Sequence, residues 1–142
     1  MLRKVFRVLL LLIIFLTSIP AYAQGSPFAE IFDPSHNKVI KSVRVDSEIY
    51  DLASGWVKSI DNLYGKINPS SIKGYKVRIP LDPPIKVNKK SLNSNINEVY
   101  IIVPEKESPF LMIFEDKNKP SCFKFHGNID DLWKAMDFKL EN

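Results

Sequence analysis

Cys122 and His126 are the one cysteine and histidine that lie close together in the chain. They are the first pair to weigh for chemistry, because a thiol needs an adjacent base to become a good nucleophile. Their spacing opposes that role. On a continuous strand, residues four apart share a face but stand about 13 Å from each other, against the roughly 3 Å reach of a nucleophile and its base. Cys122 therefore reads as a packed structural residue. His36, in the Pro34–Asn37 turn, is the only other histidine, so no pair at metal-ligand spacing exists and no zinc site is expected. Asp116 and Asn118 resemble the opening of an acidic calcium loop, but Lys117, Lys119 and Pro120 replace the ligands and glycine that a calcium loop needs next. A hairpin turn accounts for them. Ser54–Gly55 falls inside a helical pattern and not at a strand-to-helix elbow, and five glycines leave no phosphate-cradling loop. The acid pairs Glu105 with Glu107, Glu115 with Asp116 and Asp130 with Asp131 fit exposed turns or a helix N-terminus. A hydrolase would have to gather carboxylates from separate elements. No cofactor is implied.

Two surface features are more concentrated. Lys76 and Arg78 share the polar side of a strand, and Lys86, Lys89 and Lys90 lie just beyond a proline run. Together they form a basic patch suited to anionic lipid headgroups or cell-wall polymers. The plainer reading is a sheet edge that lysine and proline protect from aggregation. The other feature is apolar. Glu98–Val103 and Phe110–Glu115 carry hydrophobic residues on both sides, and a strand with two apolar faces must be covered twice. Tyr100, Ile102, Leu111 and Ile113 are the candidates for a second sheet face that takes a protein partner or a second copy of the chain.

The elements that position these residues begin after a leader. Arg3, Lys4 and Arg7 precede the apolar run Val8–Leu16, and Ala21-Tyr22-Ala23 supplies the small-x-small pattern of a signal-peptidase site, predicting cleavage between Ala23 and Gln24. As a retained anchor, Val8–Ile19 would rise only about 18 Å as a helix, short of a hydrocarbon core of about 30 Å. The chain is thus expected to be secreted or extracytoplasmic, with an uncleaved membrane anchor as the alternative. The net charge of +4 owes three cations to the leader. The rest of the chain holds 17 basic and 16 acidic residues, and its basic residues are mostly lysine, so nothing recommends nucleic acid. With one cysteine, no intramolecular disulfide can form. Export without disulfides and a composition rich in Lys, Asn and Ile suggest a Gram-positive bacterial source.

Residues 24–142 read as one α+β domain. Residues 24–45 are an irregular or extended lead-in, with an extended piece at Lys38–Val45. A long amphipathic helix is expected at Ser47–Tyr64, capped by Asp46 and stopped by Gly65, with Ile49, Leu52, Ala53, Trp56, Val57, Ile60, Leu63 and Tyr64 on its core face. Tyr75–Leu81 alternates as a strand that the prolines at 80, 83 and 84 should send to an edge or out of the sheet. Ile85–Ile96 is polar and Asn-rich and reads mostly as loop. Strands at Glu98–Val103, Phe110–Glu115 and Ser121–Phe125 complete a four-stranded antiparallel meander, and a short helix at Ile129–Phe138, capped by Asn128, closes the chain. The order helix, four-stranded meander, helix loosely resembles the cystatin and nuclear-transport-factor-like arrangements, in topology alone. If both helices lie on one side of the sheet, the other side is left for a partner or groove.

Overall fold

The computed structural model describes residues 1–2, 25–61, 63, 73–116 and 118–140. The expected leader with its Ala23–Gln24 cleavage position, and Tyr64 and Gly65 at the expected helix end, lie outside these residues. Along the chain run β1 (Phe28–Asp33), β2 (Lys38–Arg44), α1 (Ser47–Lys58), β3 (Gly74–Lys89), β4 (Leu92–Pro104), β5 (Phe110–Asp116), β6 (Lys119–Phe123) and α2 (Ile129–Ala135). All strand pairs are antiparallel, and the six strands form one sheet in the order β2-β1-β3-β4-β5-β6.

This corrects the expected fold of a long N-terminal helix on a four-stranded meander. Of the two readings of the lead-in the extended one applies, with β2 at the expected extended piece: Gly25, Pro27 and Pro34 flank a β-hairpin's strands instead of interrupting them, and Ala29 and Ile31 of β1 enter the core. Its turn is held by the Asp33 carboxylate accepting from the Ser35 amide at 2.8 Å, with Asn37 in the left-handed region at φ 50° that asparagine tolerates. The loosely matched cystatin-like order therefore does not apply, because two strands precede the helix.

α1 is 12 residues long and ends short of the expected Tyr64. Its start is as expected, with the Asp46 side chain accepting from the Ile49 amide at 2.9 Å. Its end is capped locally by Ser59, whose hydroxyl donates to the Trp56 carbonyl at 2.9 Å, and is met by a residue distant in sequence. Lys89 Nζ donates to the carbonyls of Lys58 at 2.9 Å and Ile60 at 2.6 Å, satisfying acceptors that a helix C-terminus leaves open and placing a cation at the negative end of the dipole.

The other large difference is the β3–β4 hairpin. Ile85–Ile96 is not loop: Ile85 pairs with Ile96 and Lys89 with Leu92 across a two-residue turn at Lys90–Ser91. Ile85, Val87, Leu92 and Ile96 are all buried, with lysine and asparagine interleaved among them. The prolines do not send β3 out of the sheet, since the strand runs on to Lys89 paired with β4, but they fall where it is locally an edge. β1 pairs with β3 only at Lys76–Arg78, and the β3–β4 ladder shifts between Pro80 and Ile85, around the cis Asp82–Pro83 bond. The missing donors thus lie where β3 has one neighbour instead of two. At the other end of β3, Gly74 has φ +137°, and a Cβ there would sit 2.0 Å from the Val103 carbonyl oxygen.

Both helices cover the same face. Ile49, Ala53, Trp56, Val57 and Ile60 from α1 and its end, and Leu132, Trp133 and Met136 from α2, share one cluster with Ile31, Val77, Ile79, Val99, Ile101, Leu111, Ile113 and Phe123. Burial of each large apolar side chain is worth about 1.5–3 kcal/mol relative to exposure. A separate cluster of Ile102, Phe110, Met112 and Cys122 lies on the opposite face, with Tyr100 packed against it. Cys122 is a free, buried thiol, and burial raises its pKa. Among the described residues no helix is long and apolar enough to cross a membrane.

Candidate functional site

The sheet register assembles a polar cluster that no local stretch of sequence displays. Across the face away from the helices, Glu30 of β1, Arg78 of β3, Tyr100 of β4, Met112 of β5 and Cys122 of β6 stand in one row. Arg78 is the hub. Its Nε donates to Glu98 Oε2 at 3.0 Å, while Nη1 lies 3.6 Å from Glu30 Oε2 and 3.4 Å from the Phe28 carbonyl. Tyr100 donates its hydroxyl to Glu98 Oε1 at 3.2 Å. Burial, then the Glu98 charge and its hydrogen bond, raise the tyrosine pKa. The phenol therefore stays a donor, and the arginine is fixed in direction by two acids.

Beside this cluster lies a groove of about 870 Å³. One wall is the lead-in, Gly25–Pro27, with Arg44 and Val45 at the end of β2; the other is the proline bulge of β3, with Pro80, Leu81, Asp82 and Pro84; Arg78, Asn97 and Glu98 line it as well. Tyr50 of α1 donates its hydroxyl to the Pro83 carbonyl at 2.8 Å, tying the bulge to the helix layer. The groove is half open to solvent, carries proline on both walls, and is supplied with a few convergent charged and amide groups of the kind that orient a ligand. Arg44 is exposed and makes no ion pair among the described residues, so its guanidinium is available at the rim.

The residues singled out from sequence divide among several places. Lys76 and Arg78 are half-buried in the middle of the sheet, and only Arg78 reaches the groove. Lys86 and Lys90 lie toward the far end of the β3–β4 hairpin, both exposed, with Lys86 roughly 30 Å along the strand from Lys76. Lys89 turns to the helix side and caps α1. The structure therefore does not collect these five cations into one patch. Tyr100 and Ile102 do share a face, but their cross-strand partners are Met112 and Phe110. Leu111 and Ile113 point the other way, into the helix-covered core. The face-sharing set is corrected to Tyr100, Ile102, Phe110, Met112 and Cys122. Its centre is buried, Ile102, Phe110, Met112 and Cys122 all being at most 6% exposed, and the exposed aromatic groups sit beyond it at Phe114 and Phe28.

The catalytic candidates do not converge. His126 is exposed, 2.7 Å from Asp61 through Nε2, and its amide donates to Ser59 Oγ at 3.3 Å, a link between the end of α1 and the approach to α2. Asp33, Ser35 and His36 do meet in the β1–β2 turn. However, Ser35 Oγ and Asp33 Oδ2 both contact the same ring nitrogen, Nδ1, at 3.2 and 2.6 Å. A serine relay needs the hydroxyl and the acid on different ring nitrogens. The Ser35 hydrogen bond, then that of His36, lowers the Asp33 pKa to about 2, the opposite of what a general acid needs. Among the described residues no group of three or more His, Cys, Asp and Glu side chains is placed to hold a metal ion.

Glu30, Arg44, Asp82, Asn97 and Glu98 were not singled out from sequence. Glu30 and Glu98 meet Arg78 only because β1 and β4 flank β3, and the missed β1 hairpin concealed the first of these neighbours. Comparison with known proteins adds no relative: no family model, curated protein or solved structure matches the chain.

Proposed function

We propose that the chain is a non-enzymatic binding module acting outside the cytoplasm, and that it binds through the groove between the lead-in and the proline bulge. The observation that carries this reading is the Arg78 cluster beside that groove: a half-buried arginine held by Glu98 and Glu30, with Tyr100 locked onto Glu98. Charged groups held this way are oriented before any ligand arrives, which lowers the ordering cost of binding. Support for the extracytoplasmic setting is the residue order of Met1–Ala23, with its basic start, apolar run and small-x-small end. The Gram-positive source rests on composition alone. The apolar second face contributes support where it reaches solvent, at Phe28 and Phe114, while its buried centre serves packing.

Two measurements test the proposal. Expressed in a bacterium, the full chain should be recovered outside the cytoplasm with Gln24 at its N-terminus; recovery of the uncleaved chain in the cytoplasm contradicts the location. For the site, the isotope-labelled chain is titrated with four short peptides, one acidic, one basic, one apolar and one proline-rich. At least one should move the amide signals of Arg44, Arg78, Leu81 and Asn97 together, and Arg78→Met should weaken that response at least fivefold. No movement of these amides at millimolar peptide contradicts the groove as the site.

A further inference from the structure

The two margins of the sheet are unlike, and the difference bears on what the groove receives. β6 is a five-residue strand that contains Pro120, and Leu63 makes an isolated antiparallel bridge to its Phe123. β2 is seven residues long, has no proline, and has no strand partner on its outer side among the described residues. Its sequence, Lys38-Val39-Ile40-Lys41-Ser42-Val43-Arg44, holds three cations and no acid. None of the three makes an ion pair among the described residues, although Glu30 of β1 is close by in the sheet and engages Arg78. The cations occupy both sides of the strand. Lys41 pairs with the core residue Ile31 and so lies on the helix side, while Arg44 pairs with Phe28 on the side of Arg78. Arg44 also lines the groove, so this edge, unpaired among the described residues, leads directly into it.

We propose that β2 is the docking edge for an extended acidic segment of a protein partner, which adds a seventh strand along Lys38–Arg44 and runs into the groove. The proposal rests on the reading of the groove as a binding site. An unpaired edge offers main-chain donors and acceptors to any extended chain, and side-chain charge then decides which chain is accepted. A second copy is disfavoured. Antiparallel self-pairing centred on Lys41 would set Lys41 against Lys41 and Lys38 against Arg44, and like charges directly opposite each other destabilise a sheet. The same three cations that keep copies apart reward an acidic strand, whichever face its acids project from. The groove end differs: Asp82 and Glu98 line it together with Arg44 and Arg78, so its charge is balanced and the segment's acids belong along β2.

The test measures the affinity of the purified chain, by fluorescence anisotropy at low salt, for a labelled ten-residue peptide of alternating glutamate and threonine. Comparators are the lysine–threonine peptide, the acidic peptide with alternate amides N-methylated so that it keeps its charges but cannot pair, and phosphatidylglycerol vesicles. The acidic peptide should bind. N-methylation, charge reversal of the peptide, or K41E together with R44E should each weaken it at least tenfold, and the double variant should gain affinity for the lysine peptide, which also shows that it folds. An N-methylated peptide that binds within twofold of the parent overturns the proposal, because charge alone then suffices. Vesicles that bind with the same dependence on Lys41 and Arg44, beside a silent peptide, overturn it in favour of an anionic surface. If the groove amides respond to the peptide panel while this acidic peptide does not bind, the edge falls and the groove stands; if neither responds, both fall.

Discussion

β2 and β6 close the two sides of one sheet, and they are stabilised in opposite ways. β6 delivers Cys122 and Phe123 into buried clusters on opposite faces, contains Pro120, and is bridged from outside by Leu63. β2 sends no fully buried side chain inward; Ile40 and Val43 are only half-buried and Val39 is 49% exposed. One margin belongs to the core and the other to the surface. β2 is seven residues long, proline-free and basic, and contributes little to the core, which is the contrast on which its proposed docking role rests.

The contrast can be broken by mutation, and the largest effect should fall on the β6 side. Phe123→Ala removes a fully buried ring and is expected to cost about 3–5 kcal/mol in denaturant unfolding. If it costs under about 1 kcal/mol, β6 is not the core margin. Gly127→Ala, just after β6, would place a Cβ 2.1 Å from Trp56 Nε1, and Trp56 itself packs on Phe125 with centroids 4.9 Å apart. Overpacking there should cost about 1–3 kcal/mol and shift the tryptophan fluorescence. Lys89→Met withdraws the hydrogen bonds at the end of α1 and should cost about 1 kcal/mol, whereas Lys86→Met, at an exposed position, should change stability by less than about 0.5 kcal/mol. Equal effects of the two would show that Lys89 is an ordinary surface lysine. Val39→Ala on β2 should also stay within about 0.5 kcal/mol.

The smallest effect concerns acid. Asp33, in the turn that joins β1 to β2, has a folded pKa lowered to about 2 from 3.8. A lowered carboxylate stabilises the fold above its unfolded pKa, and that contribution is lost as pH falls from about 4 to about 2. Asp33→Asn should remove this acid-dependent component without changing the pH response of β6. A carboxyl titration of Asp33 by NMR that centres near its unfolded value would contradict the assignment.

Several elements were legible because their signals are local. Asp46 and Asn128 mark the starts of α1 and α2, and the alternation Tyr75–Leu81 and the apolar runs of β4 and β5 mark strands. Other features were not, each for a physical reason. The end of α1 receives Lys89 from a strand that comes much later in the sequence, beside its local Ser59 cap. The β3–β4 hairpin hides its apolar positions Ile85, Val87, Leu92 and Ile96 among lysines and asparagines, so composition suggested loop where alternation indicated strand. The groove depends on β1 lying beside β3, a pairing made across the intervening β2 and α1. The choice of face for Leu111 and Ile113 turned on register, since a shift of one residue reverses every side chain. Without the register of β4 on β5, grouping them with Tyr100 and Ile102 was one of two equal options.

Whether β2 is an open and selective margin is read by amide hydrogen exchange of the purified chain with and without the glutamate–threonine peptide. Without peptide, alternate amides of Lys38–Arg44 should exchange quickly, while the amides that pair β5 with β6 exchange slowly. With peptide, the fast amides of β2 should slow at least tenfold and β6 should not change. Unaltered exchange along β2 at saturating peptide, or slowing confined to β6, would show that β2 is not the docking edge.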